Sequence, residues 1–346
     1  MTAYQHTLSS LRESPSRWLV TGAAGFIGSH LVEKLLREGQ SVTGFDNFAT
    51  GRQVNLDQVF ADVGPEASAR FRLVQGDLRS EADCRAAVEG VEHILHQAGL
   101  GSVPRSIERP LDSHAANVTG TLNLFEAARG AGVKRVVYAS SSSVFGDEPQ
   151  LPKIESRIGE PLSPYAATKR MLEIYASVWH RCYGMQFAGL RYFNVFGPRQ
   201  DPNGPYAAVL PKWVAALRQR ETVYVNGDGE TSRDFCYVAN VVQANILAAT
   251  TAHEDLTAQA FNIALGGRTT LNDLFRSIRD TLAAKDPSLA EAQPVYRDFR
   301  SGDVRHSQAD ISKAQRILGY EPTHDVRAGL QETLEWYWAD LEETAA

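Results

Sequence analysis

Two residues one helical turn apart open the chemistry of this chain. Tyr165 and Lys169 stand in Tyr165-Ala166-Ala167-Thr168-Lys169. Positions i and i+4 of a helix share a face, which sets the lysine ammonium beside the phenol. A free phenol has a pKa of about 10. A neighbouring cation favours phenolate and makes the group a candidate proton acceptor near neutral pH. By itself such a pair is commonly a surface helix contact. A run of hydroxyls, Ser140-Ser141-Ser142-Ser143, precedes Val144-Phe145-Gly146 at the end of an apolar strand-like stretch. Strand C-termini in doubly wound sheets face the ligand crevice, so a hydroxyl there can meet a substrate oxygen.

A third feature supplies a partner for that chemistry. Gly22-Ala23-Ala24-Gly25-Phe26-Ile27-Gly28 follows a short apolar run and opens a helical pattern. Glycines at this spacing let the backbone approach a pyrophosphate, and the helix N-terminus offers free N–H groups. Asp46 ends the second strand-like run, where an acid can hold a ribose 2′-hydroxyl and disfavours a 2′-phosphate. The expectation is NAD rather than NADP. Asp77 closes the third run, placed either to reach an adenine or to cap the next helix.

The elements that must position these residues can be read from periodicity. Strands are predicted at 17–21, 41–46, 71–77, 91–96, 133–140 and 187–192, with helical segments between them, the first over 26–38. This alternation predicts an α/β fold with a Rossmann-type doubly wound parallel sheet. After Asn194 the segment 197–205 is too rich in Gly and Pro for a helix or central strand. A helix over 210–220, a strand over 222–225, an apolar helix over 238–249 returning to the main sheet, and amphipathic helices over 271–284 and 311–318 complete the reading. The expected division is a helical leader at 1–16, a dinucleotide-binding domain of 17–194 plus 238–266, and a smaller discontinuous α/β substrate lobe of 195–237 plus 267–346.

Composition narrows the class. The chain has 346 residues, 35 Lys plus Arg against 41 Asp plus Glu, and a net charge of −6. No global field would draw nucleic acid or an anionic membrane. No apolar run approaches the roughly 18 residues of a membrane span. Cys84, Cys182 and Cys236 are odd in number and form no CxxC pattern, so neither a disulfide framework nor a metal site is expected. A cytoplasmic location is expected, and the first residues do not read as a signal peptide.

Together these residues resemble the extended short-chain dehydrogenase/reductase family, over nearly the whole chain from Trp18. The stretches Asp46-Asn47-Phe48-Ala49-Thr50-Gly51, Gln97-Ala98-Gly99, Ser163-Pro164-Tyr165 and Arg191-Tyr192-Phe193-Asn194 are similar to its nucleotide-sugar 4-epimerases. Gly101-Ser102-Val103-Pro104-Arg105-Ser106, the run 227–234 and the run 302–307 look like UDP-N-acetylglucosamine 4-epimerases. The resemblance implies tightly bound NAD that is not consumed, and a 4-keto sugar that turns over before its reduction. Tyr165 then acts as base and acid, Lys169 supports it, and Ser141 bonds the 4-oxygen. Ser142 and Ser143 remain open for that role, and Ser143 for a sugar contact.

The implied cofactor contacts are Gly22, Gly25, Phe26, Ile27, Gly28, Asp46, Asn47, Phe48, Ala49, Thr50, Gly51, Asp77, Leu78, Gln97, Ala98, Gly99, Asn117, Lys169, Tyr192 and Phe193. The implied substrate contacts, besides the serines and Tyr165, are Ser102, Asn194, Ala208, Val209, Tyr224, Asn226, Arg233, Arg300, Asp303 and Ser307. Many UDP-glucose 4-epimerases have a tyrosine where this chain has Ser307, and serine leaves room for a 2-acetamido group. Related decarboxylases and dehydratases carry an acid beside the serine run, where this chain has Ser142 and Ser143. The expected activity is therefore interconversion of UDP-N-acetylglucosamine and UDP-N-acetylgalactosamine. UDP-glucose or UDP-uronate epimerisation, decarboxylation and a non-catalytic dinucleotide-binding regulator are the alternatives. A homodimer formed by helices near 122–131 and 172–181 is also implied.

Overall fold

The fold is described from a computed structural model covering residues 1–202, 208–299 and 304–345. Helix α1 (Ala3–Glu13) precedes β1 (Arg17–Thr21), α2 (Phe26–Arg37), β2 (Ser41–Asp46), α3 (Gln53–Ser68), β3 (Phe71–Gln75), α4 (Glu81–Ala87) and β4 (His93–His96). Short helices α5 (Val103–Glu108) and α6 (Pro110–His114) run through a π turn (Ala115–Thr119) into α7 (Gly120–Gly130). Then come β5 (Arg135–Ser141), a 3₁₀ turn (Ser142–Phe145), α8 (Pro164–Tyr183), β6 (Gln186–Tyr192) and β7 (Val195–Phe196). The remainder holds α9 (Val209–Arg218), β8 (Tyr224–Asn226), β9 (Ser232–Arg233), β10 (Cys236–Tyr237), α10 (Val238–Thr250), β11 (Gln259–Ile263), β12 (Thr269–Thr270), α11 (Leu271–Ala283), β13 (Val295–Arg297), α12 (Ser312–Leu318) and α13 (Val326–Ala345).

Seven parallel strands form the main sheet in the order β11-β6-β5-β4-β1-β2-β3. This is the expected doubly wound α/β architecture. The chain starts at the centre with β1, winds outward through β3, and returns beside β1 with β4. A crevice opens at that reversal, at the strand C-termini. Sequence periodicity missed β11. Its five residues follow a short polar loop and carry only Phe261 and Ile263 as large apolar groups, yet both are fully buried at the sheet edge.

Two apolar layers cover the sheet. Helix α10 has eleven buried residues and packs with α2 on one face, among Val20, Leu31, Leu95, Val137 and Leu190. Helices α4, α7 and α8 cover the other, among Leu19, Ile94, Phe125, Val136 and Phe187. Each buried Leu or Phe contributes about 1.5–3 kcal/mol by leaving water, which commits these helices to the sheet. A further cluster joins Leu210, Trp213, Phe235, Leu274, Ile278 and Leu334 beside the strand C-termini. The stretch between the last amphipathic helices also holds β13, paired in parallel with β8.

The leader is a helix, as expected. A complete capping box starts α1, in which Thr2 and Gln5 satisfy each other's backbone N–H. Leu8 and Leu11 join the core. Gln40 fastens the junction, donating to the Leu11 carbonyl at 2.8 Å and accepting from the buried Trp18 indole at 3.1 Å.

Candidate active site

The glycine turn is shaped by contacts that admit no side chain. Gly22 has φ +68°, and a Cβ there would stand 2.9 Å from the Ala98 amide nitrogen. A Cβ on Gly28 would lie 1.9 Å from the Gly22 carbonyl oxygen. Gly25 starts α2 with no side-chain cap. The first-turn N–H groups of α2 therefore remain available to an anion. These residues, with Phe26 and Ile27, wall a groove of about 1140 Å³. The loops after β2, β3 and β4 complete it through Asp46, Asn47, Phe48, Ala49, Thr50, Gly51, Asp77, Leu78, Gln97, Ala98 and Gly99.

Asp46 organises the β2 side. Its carboxylate accepts the Ala24 amide at 2.9 Å and the Phe48 amide at 2.8 Å, holding Phe48 in the left-handed region at φ +57°. The second bond ties the acid to its own loop, and the first ties it to the glycine turn. Asp77 does not cap α4, because Ser80 does so through the Asp83 amide. Asp77 instead accepts from the Arg79 guanidinium at 2.7 and 2.9 Å and from Asn47 at 2.8 Å. The Arg79 hydrogen bonds hold its carboxyl well below the usual range. Arg52, Arg79, Arg105, Arg109, Gln200 and Asp201 also line the groove. Sequence reasoning did not place them in the groove, since isolated polar residues carry no periodic signal.

Four expected cofactor residues stand off this wall. Asn117 sits in the π turn, accepting from the Leu100 amide at 2.7 Å and donating to Thr168 at 3.1 Å. It fastens the lip after β4 to α8. The Tyr192 hydroxyl donates to Gln97 at 2.9 Å and accepts from Asn245 at 2.8 Å. Phe193 is fully buried against Phe145. The side chains of Tyr192 and Phe193 thus belong to the core, which leaves only their backbone for a ligand. Lys169 belongs with Tyr165.

The proton-handling groups converge at the end of β5. Ser163 caps α8 through the Ala166 amide at 3.1 Å, and the buried Ser106 hydroxyl accepts the Tyr165 amide at 3.0 Å. The Tyr165 phenol meets the Ser141 hydroxyl. Ser141 Oγ also accepts the Ser143 amide at 3.1 Å, so its own hydrogen is free to point at the phenol oxygen. Burial pushes the Tyr165 phenol up, opposed by the Ser141 hydrogen bond. One turn on, the buried Lys169 ammonium donates to the Ala139 carbonyl at 2.8 Å and lies 5.9 Å from the Tyr165 ring centre. Burial pulls its pKa down to about 8. Ser142 is half-buried at the start of the 3₁₀ turn. Ser143 Oγ is buried with no hydrogen-bond partner among the described residues.

A charged cluster lies directly behind this group. Arg191 of β6 grips Glu173 of α8 at 2.8 and 2.9 Å, and the Ser140 hydroxyl donates to the same carboxylate at 2.7 Å. Arg191 also stands over the Phe145 ring, 5.0 Å from its centre. Glu173 is four residues after Lys169, and that spacing was the one available signal.

The other expected substrate residues are spread over several elements. Ser102 caps α5 through the Arg105 amide at 3.1 Å. Asn194 donates to the Asp234 carbonyl at 3.3 Å, and Arg233 donates to the Ser232 carbonyl at 3.0 Å. The Ser307 amide donates to the Ser232 carbonyl at 3.0 Å, which joins Ser307 to the strand bearing Arg233. Tyr224 is exposed beneath the Arg297 guanidinium, and Asn226 ends the same strand. Ala208 lines the groove and Val209 starts α9. Arg300 and Asp303 lie outside the described residues. Among the described residues there is no group of three or more His, Cys, Asp or Glu side chains suited to a metal ion, and no helix long and apolar enough to cross a membrane.

Comparison with known proteins agrees with this geometry. The chain is 37% identical over 324 residues to a UDP-glucose 4-epimerase of Mycolicibacterium smegmatis, covering 93% of this chain and 98% of that one. It matches the structure of a UDP-N-acetylglucosamine 4-epimerase from Methanobrevibacter ruminantium in complex with UDP-N-acetylmuramic acid, with 38% identity and TM-score 0.85 over 94% and 99% of the two chains. It also matches a UDP-glucuronic acid 4-epimerase from Bacillus cereus in complex with UDP-glucuronic acid and NAD, with 27% identity and TM-score 0.82 over 93% and 99%. The model of the NAD dependent epimerase/dehydratase family matches residues 18–264. With that match, its glycine turn, Asp46 and the Tyr165–Lys169 pair in place, the chain belongs to the NAD dependent epimerase/dehydratase family.

Proposed function

We propose that this chain is a UDP-sugar 4-epimerase that works on UDP-N-acetylglucosamine and UDP-N-acetylgalactosamine. The meeting of Tyr165, Ser141 and Lys169 beside the dinucleotide groove carries the reading. The groove residues suit NAD: the glycine turn admits a pyrophosphate, the start of α2 offers N–H groups, and Asp46 borders the ribose position. NAD when bound supplies reversible oxidation and reduction at the sugar C4.

The remaining work falls to side chains. The Tyr165 oxygen takes the proton of the sugar 4-hydroxyl and later returns it. Lys169 keeps two ammonium N–H groups beyond the one held by Ala139, which would hold the cofactor ribose, while its charge would stabilise phenolate. Ser141 gives its hydrogen to the Tyr165 or sugar oxygen. A second acid–base group beside the serines is missing, since Ser142 and Ser143 stand there. That favours epimerisation over elimination or decarboxylation. Arg233 suits the substrate diphosphate through its guanidinium fork, joined in our assignment by Arg300, while Asp303 accepts from the uridine ribose.

For the sugar, the small side chains of Ser307 and Ala208 and the bare Gly101 favour an acetamido group, as does the likeness to the M. ruminantium enzyme. UDP-glucose and UDP-glucuronate are the second reading, favoured by the M. smegmatis and B. cereus relatives. Purified protein without added NAD, offered UDP-N-acetylglucosamine, UDP-glucose and UDP-glucuronate in parallel, tests both. The expected result is fastest conversion of the acetamido sugar. Faster conversion of either other sugar would replace it. Ser307→Tyr is expected to cut activity on acetamido sugars at least about tenfold more than on UDP-glucose, which corresponds to about 1.4 kcal/mol of discrimination.

We also assign a homodimer. Helix α8 exposes Met171, Ile174 and Val178, and the adjoining α5 and α6 expose Ile107 and Leu111. The outer face of α7, which includes Glu126 and Arg129, is charged, so α8 contributes the apolar centre of the interface.

A further inference from the structure

His96, which ends β4, takes no part in the proton chemistry described above. It is buried between β1 and α7, with Nδ1 2.7 Å from Thr21 Oγ1 and Nε2 2.9 Å from Thr121 Oγ1. The hydrogen bonds around it fix where every proton lies. Thr121 donates its single hydroxyl hydrogen to the Asn117 carbonyl at 2.6 Å. It therefore accepts from His96, and Nε2 carries a hydrogen. On the other side, Thr21 Oγ1 accepts the Ala98 amide at 3.1 Å. Its own hydrogen is left for Nδ1, which must be bare. An imidazolium would set a second donor against Thr21 and leave the threonine hydrogen without an acceptor. Burial and the nearby Lys169 charge agree, pulling the His96 pKa down to about 3.

We propose that His96 is a positioning residue for the cofactor: as a fixed neutral imidazole protonated on Nε2, it locks both lips of the dinucleotide groove to the π turn that carries Asn117. Thr21 is the residue before Gly22, and Ala98 lies across from it. The two backbones meet so closely that a Cβ on Gly22 would strike the Ala98 amide. One hydroxyl, that of Thr21, bonds to the second lip and to His96 together. The far side of the ring sets the Asn117 carbonyl, while the Asn117 side chain holds Leu100 at the end of the same lip. One ring thus ties together the ends of β1 and β4 and the start of α7. Removing it leaves the Thr21 and Thr121 hydroxyls to find new partners inside the core. The inference rests on NAD occupying this groove, and not on the identity of the sugar.

Two measurements test it on the purified holoenzyme. In wild-type protein, nitrogen-15 correlation spectra should show His96 with hydrogen on Nε2 only, unchanged between about pH 5 and 8, where an ordinary histidine titrates. Hydrogen on Nδ1, or titration in that range, would overturn the proposal without any variant. In the second, bound NAD is chased with excess labelled NAD. His96→Leu and Thr121→Val should release it about tenfold faster, a change of about 1.4 kcal/mol, with the UDP-sugar KM within about twofold of wild type. His96→Gln, whose amide can still donate toward Thr121, should recover part of the retention. Release from His96→Leu as slow as from wild type would refute the role. A wild-type protein that neither carries nor takes up NAD would instead sink the reading of the groove.

Discussion

Arg191 and Glu173 form a two-pronged ion pair between β6 and α8, and Ser140 donates into it from β5. The pair thereby fixes the helix bearing Tyr165 and Lys169 against the strand bearing Ser141. Both side chains are almost fully buried, so removal of one partner strands the other's charge. Glu173→Gln is expected to cost about 3–5 kcal/mol of stability, read by chemical denaturation. Burial pushes the Glu173 carboxyl up, but the Arg191 contacts outweigh it and leave it below the ordinary value of 4.5. Its stabilisation is present above that pH and disappears as the medium is acidified further. A Glu173→Gln protein as stable as wild type would contradict this account.

Tyr165→Phe keeps the ring and removes the proton acceptor. Turnover should fall by about 10²–10⁴, the usual span for loss of a general acid–base group, while bound NAD stays at wild-type occupancy. Ser141→Ala should fall less, because the phenol remains. Steady-state rates together with cofactor content of the same preparations decide both points. Turnover by Tyr165→Phe within tenfold of wild type would remove Tyr165 from the mechanism.

Lys169 predicts an alkaline limb. The species that donates to Ala139 and supports the phenolate is the ammonium, and burial brings its pKa to about 8. Activity should decline as pH rises through about 8. The stability contribution runs the other way. An unfolded lysine stays protonated up to its ordinary value of 10.5, so between about 8 and 10.5 the unfolded chain binds more protons, and this group's contribution to stability rises with pH. Lys169→Arg stays charged throughout. Its limb should move upward in pH even if its rate is lower. A pH–rate profile and a melting series over the same buffers separate the two trends.

The exposed stripe of α8 makes a direct prediction about assembly. Wild-type protein should scatter light as a dimer, and Ile174→Glu should shift it to monomer, with the dimer Kd raised at least about tenfold by a charge placed in an apolar interface centre. An unchanged mass for Ile174→Glu would place the interface elsewhere.

Much of this arrangement was legible in residue order, and the exceptions share a cause. Gly22, Gly28 and Asp46 declare themselves because a turn, a close approach and a strand end each demand one residue type. Tyr165 and Lys169 declare themselves by helical spacing. The central strands read clearly because burial on both faces makes them near-continuous apolar runs. Edge strand β11 does not, since its first residue is exposed and its second only partly buried. Asn117 was found by resemblance, but not its π turn, whose extra residue leaves the apolar pattern of 115–125 intact. His96, Ser106 and Glu173 act through partners 18 to 75 residues away on other elements, such as Arg191 and Thr21. No local window contains such pairs. The core-facing side chains of Tyr192 and Phe193 are hidden for the same reason, because whether a strand-end side chain faces the groove or the core depends on Gln97, Asn245 and Phe145.

The strand order also has a consequence in time. Strand β6 cannot be covered at its outer edge until β11, at residues 259–263, has been made, and α10, which seals that half of one sheet face, ends only at residue 250. The groove's glycine turn and all of its acids up to Asp112 are synthesised far earlier. A nascent chain leaving the ribosome therefore carries the parts of its cofactor cradle on an unfinished sheet. Its β6 edge and apolar face stay bare while some seventy further residues emerge after β6. Parallel pairings of this span are slow to close and prone to association meanwhile. Early capture of the dinucleotide by the first strands, or shelter by a chaperone over that interval, is the demand this topology places on the cell.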